Sequence, residues 1–82
     1  MKINEIKSIL DYAREFGRLL TITLVSGQVS HINFSKKTKK FTATDDVILD
    51  VDGHLVIKYD TDGSVDYIDS DSIIRIFSKE CV

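Results

Sequence analysis

The chain has no proline, no tryptophan and a single cysteine among its 82 residues. Each of these scarcities excludes something. Without proline or a Gly/Ser-rich tract there is no extended linker, so the chain reads as one domain. Cys81 stands alone, which rules out an internal disulfide as stabiliser and leaves a redox role without its second thiol. No apolar run approaches the roughly 20 residues of a membrane-spanning helix. The opening MKINEIKSIL lacks a basic segment followed by an apolar one, so no secretory signal is expected. The expectation is a soluble, cytoplasmic protein with no membrane association. A domain this short buries roughly 60–65% of the surface it exposes unfolded, enough for one small core.

Signatures of chemistry are also missing. His31 and His54 have no second histidine or cysteine at metal-ligand spacing. The four glycines form no phosphate-binding pattern and no nucleophile elbow. No cofactor and no enzymatic activity are expected, an enzyme being the third reading behind a binding module and a nucleic-acid-binding protein.

Hydrophobic periodicity is plentiful. Ile3, Ile6, Leu10 and Ala13 recur at helical steps, with Ile9 and Phe16 widening the stripe. Gly17 is the natural stop, which predicts a helix over 3–16. After it the period becomes two. Leu20, Ile22 and Leu24 alternate with Thr21, Thr23 and Val25, and Ser26-Gly27 makes a turn. Residues 28–34 form the next strand, with Val29 out of phase and a bulge expected there. SKKTKK at 35–40 is a charged loop, and Phe41 and Ala43 begin a short strand. Strands over 47–51, 54–59, 65–69 and 73–77 complete the set. The fold class is therefore α+β, mainly β. It comprises an N-terminal helix and five to seven antiparallel strands in a meander, closed into a small barrel or strongly bent.

Asp-x-Asp-Gly occurs at 50–53 and again at 60–63. As a calcium loop, the second copy places Asp60, Asp62 and Asp66 at ligand positions. However, its glycine falls at position 4 rather than 6, and Ile68 occupies position 9. The first copy puts His54 and Val56 where ligands belong. Asp-Gly between alternating apolar runs is instead a hairpin signal, which needs positive φ at both central residues of a two-residue turn. Such turns would set Leu49 opposite Val56 and Ile57 opposite Ile68. One sheet face would then carry Ile48, Leu55, Ile57 and Ile68. The other would carry Val47, Leu49, Val51, Val56 and Tyr67. Both faces are apolar, and one short helix covers only one. Leu49, Val51, Val56 and Tyr67 are thus candidates for self-association or for a protein partner.

The net charge of −2 conceals an asymmetry. Residues 1–40 hold eight Lys/Arg against three Asp/Glu, whereas residues 41–82 hold three against ten. Lys36, Lys37, Lys39 and Lys40, followed by Phe41, offer phosphate contacts beside a stacking ring, an alternative function in nucleic-acid binding.

Thr21-Ile22-Thr23-Leu24-Val25-Ser26-Gly27 resembles the opening strand and turn of the Sm-like small barrels. Tyr67 to Ile76 is similar to their closing pair of strands, joined by a tight turn. This resemblance implies a small barrel that assembles into rings. Of the family's RNA-contacting residues it carries over only Arg75. The function expected from these residues is a non-catalytic binding or assembly module acting through protein–protein contacts.

Overall fold

The computed structural model describes residues 1–35 and 45–80. The helix α1, Ile3–Phe16, has the predicted bounds and ends at Gly17, whose N–H reaches the Ala13 carbonyl. Ile6, Leu10 and Ala13 are its buried face, while Ile3 and Phe16 at the two ends are exposed. Six strands follow: β1 Leu19–Leu24, β2 Val29–Asn33, β3 Asp46–Leu49, β4 His54–Lys58, β5 Val65–Asp69 and β6 Ile73–Lys79. A single 3₁₀ turn, Ser70–Ser72, joins β5 to β6, and the Asp69 carboxylate accepts the Asp71 N–H at 3.0 Å. The strand expected around Phe41 and Ala43 lies outside the described residues. No helix among these residues is long and apolar enough to cross a membrane.

The fold is α+β and mainly β, but the meander is not one closed barrel. It divides into two three-stranded antiparallel sheets, β2-β1-β6 (sheet A) and β3-β4-β5 (sheet B). The last strand returns to the first, with Ile22 opposite Ile76. Alternation then dictates the interior. Leu20, Ile22 and Ile32 of sheet A face Val47, Leu55, Ile57 and Ile68 of sheet B. Phe34, Ile73 and the helix stripe fill the remaining sides of the same core. Val29 is not bulged but sits in regular register opposite Thr23. The irregularity falls in β6, where Thr23 pairs with Arg75 and Leu24 with Ile73, so Ile74 is the extra residue.

Both Asp-Gly pairs are in turns, but not two-residue turns. In the first, the Asp50 N–H donates to the His54 carbonyl and the Gly53 N–H to that of Asp50, which closes a three-residue loop. In the second, the Tyr59 N–H donates to the Ser64 carbonyl around a four-residue loop. Only the glycines are left-handed, Gly53 at φ 82° and Gly63 at φ 73°; no other residue type in the described chain has positive φ. A type I turn closed by one left-handed glycine satisfies this and leaves the aspartates in ordinary conformations. The extra residue in the first loop shifts β3 by one, so Leu49 pairs with Leu55 and Ile48 with Val56. A one-residue shift exchanges the faces of a strand. Leu49 therefore packs against the core, and Ile48 faces outward. The second loop shifts β5 by two, which preserves its faces: Leu55 now meets Ile68, and Val56 meets Tyr67.

Two polar side chains fix the layers. Arg14 donates to the Val47 carbonyl at 2.8 Å and holds α1 alongside β3. Asp45 accepts the Asn33 N–H at 2.8 Å with one oxygen and the Asp60 N–H at 3.0 Å with the other. One carboxylate thus ties the end of sheet A to the β4–β5 loop of sheet B.

Candidate functional site

With the inner faces and the helix spent on one core, two outer sheet faces remain, and they differ in chemistry. On sheet B the register lines up Ile48, Val56 and Tyr67 across all three strands. Ile48 is 59% exposed, Tyr67 68% and Val65 46%, with Val56 half-buried between them. Asp46, opposite Lys58, and Asp69, opposite His54, border this row. Residues 45–69 hold eight aspartates and one lysine.

On sheet A the outer rows are Thr21 with His31 and Phe77, Thr23 with Val29 and Arg75, and Leu19 with Asn33 and Lys79. None of these positions is a carboxylate. The Arg75 guanidinium lies 5.5 Å from the Phe77 ring centroid, and Thr21 Oγ1 is 3.2 Å from His31 Nδ1. The acidic segment forms its own sheet, whereas β1 and β2 carry neither Asp/Glu nor Lys/Arg, and the cations on the outer face of sheet A are Arg75 and Lys79 of β6.

The four residues expected on one self-association face do not share it. Val56 and Tyr67 are on the outer face of sheet B. Leu49 is on the inner face, and Val51 is at the tip of a turn, 99% exposed. Ile48 and Val65 take their places. Alternation alone could have found Ile48, had the turn length been known. Lys36, Lys37, Lys39, Lys40 and Phe41 lie outside the described residues. Arg75 is exposed on the outer face of sheet A, stacked on Phe77.

Asp60, Asp62 and Asp66 do not converge. Asp62 accepts the Ser64 N–H at 2.9 Å and the Ser64 hydroxyl at 2.6 Å, which caps its own turn. Asp66 accepts the Tyr59 hydroxyl at 3.3 Å. Asp50, Asp52 and His54 do come together, with ligand atoms within 4.8 Å of one another. In that group one Asp50 oxygen already accepts the N–H groups of Asp52 at 3.0 Å and His54 at 2.8 Å. This is the geometry of an aspartate closing a turn.

These caps shift titration. The His54 N–H holds the Asp50 carboxyl below the usual aspartate range, helped by the Asp52 N–H and the His54 ring. The Ser64 hydroxyl and N–H do the same for Asp62. A folded-state pKa below the unfolded value means stability that is present above about pH 4 and lost as pH falls through the depressed value. The melting temperature is accordingly expected to fall as pH is lowered from about 4. Asp50→Asn, which keeps the accepting oxygen but cannot titrate, should flatten that fall. Thermal melts of both proteins between neutral and strongly acidic pH check this, and parallel curves would show that Asp50 contributes nothing.

A pocket of about 490 Å³ lies at the end of sheet A, between Phe77, His31 and Tyr59. A groove of about 570 Å³ separates the edge strands β2 and β5. The carboxylate in the pocket is Asp45, whose two oxygens are engaged by backbone N–H groups. Burial, with the negative charges of Asp66 and Asp45, raises the Tyr59 phenol above its ordinary value, so it stays protonated at neutral pH. No buried polar side-chain atom among the described residues lacks a partner.

No family model, curated protein or solved structure matches this chain.

Proposed function

We propose that this protein is a small non-catalytic assembly module that associates with further copies of itself through the outer face of sheet B. The observation that carries this reading is the row Ile48–Val56–Tyr67, flanked by Val65 and covered by neither α1 nor the other sheet. Contiguous apolar side chains across three strands mark contact surfaces more often than bare monomer surface. Tyrosine, with an apolar body and a polar tip, suits such a surface.

Magnitudes set the expected strength. Covering four side chains of this size completely contributes at most on the order of 6–12 kcal/mol. Association costs roughly 4–15 kcal/mol in lost freedom. Apolar contact alone therefore gives micromolar assembly at best, a net of about 8 kcal/mol, and polar complementarity decides how far it proceeds.

Single substitutions test the face. Tyr67→Lys and Ile48→Lys place a cation at one or the other end of the row, at positions that face outward. Each is expected to sediment as a monomer at concentrations where the unmodified chain associates. Melting temperatures should stay close to the parent's, because neither residue is core. Unchanged sedimentation of both variants would remove this face from the assembly.

A further inference from the structure

We infer that the surface meeting the outer face of sheet B is the outer face of sheet A on a second copy, so that assembly is head-to-tail. This rests on the assembly reading above and adds which surface is the partner.

The argument is one of exclusion by charge. Pairing two sheet B faces would bring Asp46 and Asp69 of one copy against the same residues of the other. The aspartate-rich hairpins beside them would also meet. Like charges at a contact are repulsive and are a standard device against wrong pairings. Lys58, the cross-strand neighbour of Asp46 on the same face, offsets only one of these two carboxylates. Pairing two sheet A faces would set Arg75 and Lys79 against themselves.

The mixed pairing has neither fault. The sheet A face carries no carboxylate on its strands: Arg75, Phe77 and Lys79 line its edge strand β6 and Val29 its other edge β2, with Thr21 and Thr23 of β1 between them, and Phe77 and Val29 are both about half exposed. The sheet B face has an apolar row, with carboxylates at its margins. Both are three strands wide, so one row of each face can lie along one row of the other. The cations of β6 then meet the carboxylates at the rim, and Phe77 and Val29 meet the apolar row of the other face. The contact is heterologous: each added copy leaves one face of each kind free at the ends, and growth continues as an open chain or closes as a ring. Rim charges are screened by salt, so the assembly weakens with rising ionic strength.

Mixing two crippled chains tests this. Arg75→Glu combined with Lys79→Glu spoils the sheet A face and leaves the sheet B face intact. Tyr67→Lys does the reverse. Each variant alone is expected to lose association by at least about tenfold in dissociation constant, with an unchanged circular-dichroism spectrum. Mixed in equal amounts, they should form a complex of twice the chain mass that grows no further, because each supplies the face the other lacks. If the unmodified chain associates but the mixture stays monomeric, the contact is not head-to-tail, although the assembly reading stands. If the unmodified chain is itself monomeric, both readings fail. If the Arg75→Glu, Lys79→Glu chain associates like the parent but loses binding of single-stranded RNA, that face belongs to nucleic acid and the inference is overturned.

Discussion

Leu55→Ala is expected to cost about 2–5 kcal/mol of folding stability, the range for truncating a fully buried leucine where the cavity does not collapse. Leu55 is 0% exposed and sits in β4, the central strand of sheet B, between Leu49 and Ile68. Both neighbours are held by their own pairing, and α1 is fixed beside β3 by Arg14, so little can move into the space. Domain stabilities run to about 5–15 kcal/mol, and each kcal/mol moves the midpoint of a domain of this size by roughly 4–8 °C. The variant should therefore melt at least about 8 °C lower. Two controls give the number meaning. Ile48→Ala, one residue from Leu49 but facing outward, and Val51→Ala, at the turn tip, should each stay within about 0.5 kcal/mol. Urea titrations of the three variants check this. A large loss for Ile48→Ala with none for Leu55→Ala would mean that the faces of sheet B are exchanged.

Gly53→Ala should be the most damaging of the conservative turn substitutions. An L-residue held at φ 82° carries a penalty of about 1–2 kcal/mol. A Cβ there would also lie 3.1 Å from Ile3 Cδ1 and 3.2 Å from Ser70 Oγ, because the turn is wedged between the start of α1 and the 3₁₀ turn. Ser70 has little room to yield: it is buried, and its N–H donates to the Gly53 carbonyl. Crowding adds roughly 1–2 kcal/mol to the backbone penalty. Gly63→Ala is the matched control. It has a similar φ of 73° but nothing within 4 Å of its Cβ, so only the backbone penalty applies. Denaturant titrations should rank Gly53→Ala well below Gly63→Ala. Equal losses would show that the contact with Ile3 and Ser70 does not constrain the turn.

The same glycine explains where the sequence was legible and where it was not. The helix could be read to the residue, because Ile6, Leu10 and Ala13 set its buried stripe and Gly17 its end. The strands could be placed by their period of two, and the Asp-Gly pairs as turns. Turn length could not be read. Asp50 and Asp62 close their own loops with their side chains, which stabilises loops of three and four residues where two were expected. One additional residue at the first loop was enough to move Leu49 inside and Ile48 out, and so to change half of the candidate surface. The return of β6 to β1, the Arg14 bond to Val47 and the double role of Asp45 join residues tens of positions apart, which no local pattern encodes. The outer face of sheet A went unseen for the same reason: it exists only once β1, β2 and β6 are side by side.

Sedimentation equilibrium of the unmodified chain, from low to high micromolar concentration at low and at high salt, tests the assembly proposal most directly. The proposal predicts a weight-average mass that rises above the 9.3 kDa of one chain as concentration increases, and that falls back as salt is added. A mass fixed at 9.3 kDa across the whole series would contradict it.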